Sequence, residues 1–221
     1  MRELLIDIIA GDLAPGQMLP REMDLAERFR VSRGVVRESV RGLEERGVVR
    51  VRHGRGATVT EPPDWNVFDP EVLEALIGSP QGQALAAETV ECQRLLEVEA
   101  AGLAAQRARP GDLAALRGAL ERMIDAAGKA ARNSAAIGRF NDADLEFHGA
   151  VVRAARNRAI GRMSQPLHRA LRVMAPLRGD VADLQRTVGE HHRILAAVAA
   201  GNAAAAREAM AAHLSTPHQR A

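Results

Sequence analysis

Residues 21–60 read REMDLAERFRVSRGVVRESVRGLEERGVVRVRHGRGATVT, and this stretch decides the fold of the N-terminal part of the chain. Its apolar spacing predicts two short helices, the second of which is capped by Ser32 and ends at Gly47. The inward positions of these helices are predicted to be Met23, Ala26, Phe29, Val36, Val40 and Leu43. From Val48 onward, apolar and polar residues alternate on both sides of a Gly-rich turn at 53–56, which predicts a β-hairpin. The pattern is that of a winged helix-turn-helix.

The flanking sequence completes this domain and adds a second, helical one. Apolar residues at helical spacing predict a first helix of about ten residues that ends at Gly11. We therefore assign residues 1–60 to the winged helix-turn-helix, the proline-rich residues 61–69 to a linker, and residues 70–221 to an all-helical domain. Breaks at glycine, proline and asparagine divide the last part into about six or seven helices. The predicted fold class is mainly α, with an N-terminal winged helix-turn-helix and a C-terminal helical bundle.

The composition restricts the classes of function. The formal net charge is +2, and all of this excess lies within residues 1–60, which indicates a polyanion-facing module. Aromatic residues make up only 2% of the chain, which argues against a base-stacking platform for single strands. The lone Cys92 is expected in the core and cannot form an internal disulfide. No stretch approaches the ~20 apolar residues of a membrane span, and the start MRELLIDIIAGD is not a basic leader, so we expect a cytoplasmic protein.

An arginine row marks the second helix of the predicted helix-turn-helix. Arg33, Arg37 and Arg41 are four residues apart, so their side chains form one row on the outer face. Such a row can donate paired hydrogen bonds to guanine edges and phosphates in the major groove. An isolated row is more often a solvated helix face, here partly balanced by Glu38, Glu44 and Glu45. Its place between a helix pair and a basic hairpin favours DNA binding.

The stretch from Ile9 to Thr60 closely resembles the N-terminal domain of the GntR family of bacterial regulators. The resemblance implies that Arg33 and Arg37 contact bases or phosphates, Arg41 the DNA backbone, and the wing tip the minor groove. The DNA-binding residues that it implies are Arg33, Gly34, Arg37, Arg41, His53 and Gly54. A fatty-acid-responsive member of the family has a DNA-contacting Arg where this chain has Met23, and Arg21 is the candidate to replace it.

A set of histidines in the second domain suggests a metal site. Asp144 and His148 are four residues apart on one helical face, and His191 and His213 each lie 11 residues from the Gly201-Asn202 turn. Equal legs of a helical hairpin bring the two imidazoles to the same height. Such a nitrogen and oxygen set suits Zn, Ni, Mn or Fe. From spacing alone, buried histidines satisfied by polar neighbours remain the alternative, and His192 is the rival to His191.

Residues 70–214 resemble the FCD effector domain of the FadR subfamily of GntR regulators. The segments that carry the likeness are QRLLEVEAAGLAA, DLEFHGAVVRAARN and EHHRILAAVAAGNAAAAREAMAAHL. The resemblance implies that Asp144, His148, His191 and His213 bind a divalent metal, which helps to hold a small carboxylate effector. The stretch WNVFDPEVLEAL is similar to sugar-acid-responsive members of the galactonate-regulator type.

The charge partner of the effector is left open by the sequence. Many members of the subfamily have Arg where this chain has Gln93. Arg94, Arg172 and Arg193 are the candidates to bind an effector carboxylate in its place, although such arginines are more often exposed helix charges.

The predicted function is a DNA-binding transcription regulator, with repression as the expected mode, that acts as a homodimer on an inverted-repeat operator. A metal-dependent enzyme is the first alternative. No obvious catalytic base accompanies the four candidate ligands, although Glu146 and Glu190 are near them in sequence. The second alternative is a regulator that responds to a fatty acyl thioester. We do not expect an enzyme, because the N-terminal module disfavours catalysis as the function.

Overall fold

A computed structural model describes residues 1–52, 54–131, 133, 135–174 and 181–215. The chain divides into two compact units, Met1–Gln83 and Ala84–Ala221. The predicted boundary lay at residue 70, before a helix that the structure assigns to the first unit. No helix within the described residues is long and apolar enough to cross a membrane.

Three helices open the first unit, namely α1 (Arg2–Ala10), α2 (Glu22–Phe29) and α3 (Arg33–Glu45). As predicted, α1 ends at Gly11, which adopts a φ of 89° that favours glycine. Ser32 caps α3, since its side chain accepts a hydrogen bond from the Val35 amide at 3.3 Å. The inner face of α2 differs from the prediction, because Leu25 is buried and Met23 is 57% exposed. The short helix turns Leu25 rather than Met23 towards α3.

A two-stranded antiparallel sheet follows, made of β1 (Val49–Arg52) and β2 (Gly56–Val59). Gly47 makes the turn into β1 with a φ of +74°, and a Cβ there would lie 2.2 Å from the Asp64 carbonyl oxygen. Only glycine therefore fits between α3 and the hairpin. The wing predicted from alternation is confirmed by this pairing.

The predicted linker has structure of its own. Residues Pro62–Asp64 form a 3₁₀-helix, and Trp65 is buried, with its indole N–H donating to Thr60 Oγ1 at 3.1 Å. Helix α4 (Pro70–Leu76) then packs against α1, which is why it belongs to the first unit. Arg46 strengthens this connection with an ion pair to Asp69 at 2.9 Å.

The second unit is a helical bundle. Its helices are α5 (Pro80–Arg107), whose first residues lie in the first unit, α6 (Pro110–Ala130), α7 (Ala135–Ala154), α8 (Arg158–Met174), α9 (Val181–Ala199) and α10 (Ala203–Leu214). Helix α7 packs against α6 and α8, and α9 packs against α6 and α10. Alanines on these helices allow close approach, and Phe140, Phe147 and Met123 fill the centre of the core. Cys92, expected in this core, is exposed instead, because its position falls on the outer side of α5.

Candidate metal centre and DNA-binding surface

Four side chains meet inside the bundle. Asp144 and His148 come from α7, His191 from α9 and His213 from α10, and all four are buried. One ligand atom from each residue lies within 4.8 Å of the corresponding atoms of the other three. The structure therefore brings together the four residues that the sequence analysis selected, in a group that can hold a metal ion.

The hairpin between α9 and α10 sets the height of two of these histidines. Gly201 turns the chain with a φ of 70°, and the Asn202 side chain caps α10 by accepting from the Ala205 amide at 3.0 Å. The two helices run back along each other from this turn. His191 and His213 consequently face one another, with ring centroids 4.4 Å apart, whereas His192 is exposed.

Each of the three histidines is oriented through its Nδ1 atom. His213 Nδ1 lies 2.8 Å from Glu190 Oε2, and His191 Nδ1 lies 2.8 Å from the Thr187 carbonyl oxygen. His148 Nδ1 makes a short contact with Glu97 Oε2. A carbonyl and ionised carboxylates only accept hydrogen bonds, so in each neutral ring Nδ1 carries the proton and Nε2 carries the lone pair.

The three Nε2 atoms point into one small space. His148 Nε2 and His213 Nε2 lie 3.2 Å apart, a distance at which two lone pairs repel unless a proton or a cation lies between them. His191 Nε2 is buried and makes no hydrogen bond to any described residue, although Asp144 Oδ1 lies 3.2 Å away. Nitrogen lone pairs with a carboxylate beside them are the donor set of Zn²⁺ and related divalent ions. The residues present therefore fit a metal.

The pKa values of two groups at the cluster, His213 and Glu97, are shifted by their surroundings. Burial lowers the pKa of His213 to about 4, with the nearby His191 and His148 acting in the same direction and Glu190 opposing it. Burial alone would raise the pKa of Glu97, but the charges and hydrogen bonds of His148 and His168 outweigh burial and hold this pKa well below its usual range. A neutral His213 and an ionised Glu97 beside His148 are the forms that favour metal binding.

The three arginines predicted to bind the effector do not reach this cluster. Arg94, Arg172 and Arg193 are all exposed, because their positions lie on the outer sides of α5, α8 and α9, and Arg172 pairs with Asp142 at 3.3 Å. Gln93, by contrast, is buried, and its Nε2 donates to Glu97 Oε1 at 3.1 Å.

The sequence analysis did not identify several residues that contact the cluster. Glu97 orients His148, Thr187 orients His191, and His168 Nε2 lies 2.7 Å from Glu97 Oε1. Glu190, considered only as a catalytic base, orients His213, while Glu146 is exposed and pairs with Arg122. Helical spacing could have identified Thr187, because it lies four residues before His191 on the same helix.

The arginine row on α3 is exposed, as the helix pattern indicated. Arg33, Arg37 and Arg41 are exposed, whereas Val36 and Leu43 are buried on the opposite face. Arg37 pairs with Glu22 at 2.7 Å and Arg41 with Glu45 at 3.3 Å, so each guanidinium is held near the helix surface by an exposed carboxylate. Exposed pairs of this kind are weak, and phosphates can replace the carboxylates.

The other predicted DNA contacts are also on the surface. Gly34 follows Arg33 near the start of α3, Arg21 precedes α2 as its N-cap residue, and Gly54 lies in the turn of the hairpin with a φ of +73°. All three are exposed. His53 lies outside the described residues.

Two family profiles match the chain. The profile "Bacterial regulatory proteins, gntR family" matches residues 1–59, and the FCD domain profile matches residues 88–216. The galactonate operon transcriptional repressor of Escherichia coli (strain K12) is 30% identical over 91% of this chain and 86% of its own length. The transcriptional regulator LutR of Bacillus subtilis (strain 168) is 33% identical over 92% of this chain and 91% of its own length. Among solved structures, Streptococcus agalactiae GntR is similar in fold, with 24% identity, complete coverage of both chains and a TM-score of 0.56.

Proposed function

The chain belongs to the GntR family of bacterial regulatory proteins and carries an FCD domain, and on that premise we propose that a small carboxylate effector, bound at a metal in this domain, controls its affinity for an operator. DNA-binding regulation is the function of the family and of the relatives that match, rather than catalysis. Relatives that include a galactonate operon repressor support a sugar acid as the effector and repression as the mode. The cytoplasm is the compartment we propose.

The orientation of the three histidines is the observation that supports a metal site. Because each Nδ1 is engaged by an acceptor, the three Nε2 lone pairs converge on Asp144. A metal bound by Asp144, His148, His191 and His213 supplies a Lewis acid with coordination positions left for other oxygen ligands. Zn, Ni, Mn and Fe all suit this donor set.

The effector carboxylate is proposed to bind where the four ligands leave the metal open. Gln93 is a candidate to hold the rest of the molecule, because its Nε2 donates to Glu97 and its buried Oε1 makes no hydrogen bond to any described residue. An amide in this position offers both a donor and an acceptor, which suits the hydroxyl groups of a sugar acid. The exposed Arg94, Arg172 and Arg193 are weaker candidates for this role.

The DNA interface is proposed to be the outer face of α3 together with the wing. In this arrangement Arg33 and Arg37 contact bases or phosphates in the major groove, with Gly34 close to the DNA backbone, and Arg41 contacts a phosphate. Arg21 adds a further phosphate contact, and His53 and Gly54 reach the minor groove. One such domain contacts few base pairs, so we propose a homodimer on an inverted-repeat operator.

The test is a titration of operator DNA, selected by the protein from random sequence, with and without galactonate and a panel of small sugar acids. Wild-type protein loaded with metal is expected to change its operator affinity by about 5- to 150-fold when an effector binds. His148→Ala should lose the metal and this response but still bind operator, because its DNA-binding unit is unchanged. A variant with the full wild-type response would contradict the proposal.

A further inference from the structure

A basic cleft lies at the turn between α7 and α8. None of the four candidate metal ligands is among the residues that line it. It has a volume of about 550 Å³, which is sufficient for a small metabolite. Arginines from the end of α7, from the turn and from the start of α8 line it, and its lining includes no acidic residue. These arginines are Arg153, Arg156, Arg158 and Arg162.

Most of this positive charge is uncompensated within the described residues. Arg156 is fixed in the turn by an ion pair with Asp112 at 2.6 Å. Arg153, Arg158 and Arg162 are exposed and form no ion pair with any described residue. Like charges gathered around one concave surface repel each other and raise the local concentration of anions. The charge of the cleft therefore favours the binding of a small anion.

A buried hydroxyl points to a specific ligand rather than to diffuse counterions. Ser164 lines the cleft and is only 2% exposed, yet its Oγ makes no hydrogen bond to any described residue. Buried hydroxyl groups in folded proteins are nearly always hydrogen-bonded, so this one calls for a partner such as a bound water, ion or ligand. His168 lines the same cleft and offers a further polar contact.

We propose that this cleft is a second ligand site, which binds a small polyanion such as a phosphorylated or polycarboxylated metabolite through Arg153, Arg158, Arg162 and Ser164. Guanidinium groups bind phosphate and carboxylate oxygens with paired hydrogen bonds, and the serine hydroxyl donates a further one. His168 connects the cleft to the metal centre, because its Nε2 contacts Glu97, which in turn orients His148. A bound anion is thereby placed to influence the metal centre through His168 and Glu97.

The experiment is a calorimetric titration of the full chain with inorganic phosphate at constant ionic strength, before and after metal is removed with EDTA and the EDTA, itself a polycarboxylate, is dialysed away. Saturable binding that survives EDTA is expected, because the site does not use the metal. The double variant Arg158→Gln/Arg162→Gln should weaken this binding by at least about tenfold, since hydrogen bonds to charged groups are the strong ones. Arg169→Gln, an exposed arginine of the same helix that does not line the cleft, is the matched control and should bind phosphate as wild type does.

Ser164→Ala separates a built site from simple charge attraction. It removes the buried hydroxyl without changing the charge, and it should weaken phosphate binding by about three- to tenfold. The proposal is overturned if phosphate binding is absent, if EDTA abolishes it, or if the double variant binds normally. It is also overturned if the double variant loses operator affinity and the wild type binds no phosphate, since the cleft would then contact nucleic acid.

Discussion

Replacing Glu190 by Gln tests whether this carboxylate prepares His213 to bind a metal. Glu190 is 6% exposed, and its Oε2 lies 2.8 Å from His213 Nδ1. The substitution keeps the size of the side chain and can keep the hydrogen bond, but it removes the negative charge that makes Nε2 a stronger donor to a metal. Loss of such an outer-shell partner typically weakens metal binding by about 10- to 100-fold, or about 1.4–2.7 kcal/mol.

The assay is a competition titration of metal-depleted protein with Zn²⁺ against a chelating dye. Glu146→Gln is the matched control, because Glu146 is an exposed carboxylate of α7 whose ion pair with Arg122 does not involve the cluster. This control should change Zn²⁺ affinity by less than about twofold, as expected for an exposed ion pair. Equal Zn²⁺ affinity in wild type and Glu190→Gln, with both folded, would refute the reasoning that the Glu190 charge tunes His213.

Three further predictions concern the DNA interface, the turn before the wing and the pH dependence of stability. Arg37→Ala should abolish the preference for the operator over other DNA, whereas Arg41→Ala should weaken binding to all sequences and reduce the salt slope by about 1. Both effects are measured as DNA affinity across a salt series. An Arg37→Ala protein with wild-type operator affinity would contradict the placement of α3 in the major groove. Gly47→Ala should lower the free energy of unfolding in urea by about 1–3 kcal/mol more than Gly11→Ala does. Both residues have a positive φ, but only at Gly47 would a Cβ meet backbone, 2.2 Å from the Asp64 carbonyl oxygen. Equal losses of stability in the two variants would contradict this clash. Metal-free protein should lose up to about 3 kcal/mol as the pH falls from 6.5 to about 4, since His213 takes up a proton near pH 6.5 when unfolded but only near pH 4 when folded. His213→Gln should flatten that slope, and an unchanged slope in this variant would assign the effect to other groups.

Much of the fold could be predicted because it depends on local signals. Ser32, Gly11 and Gly47 end or begin helices through their own backbone and side-chain properties, and each lies where the pattern placed it. The error at α2 arose because Met23 and Leu25 are both apolar on a helix of only two turns. Such a helix has too few positions for periodicity to decide which side faces the core.

Helical spacing pairs Asp144 with His148 and His191 with His213, and the resemblance to the FCD domain joins the two pairs into one set. Their supporting residues could not be selected in this way, because Glu97 and His148 are 51 positions apart and no repeat connects them. Arg94 was predicted as an effector ligand because it is adjacent to Gln93, and Arg172 and Arg193 because of their charge, but charge favours the exposed side of a helix. A contact between distant segments becomes visible only when the packing of α5 against the rest of the bundle is known.

The claim that Asp144, His148, His191 and His213 form a metal site is tested most directly by equilibrium dialysis of metal-depleted protein against Zn²⁺, Ni²⁺ and Mn²⁺. The wild-type chain should retain about one ion, and His191→Ala should retain far less while its circular dichroism shows an intact helical fold. If the wild-type chain retains no ion, or if His191→Ala retains the same amount with the same affinity, the four residues are a buried polar cluster and not a metal centre.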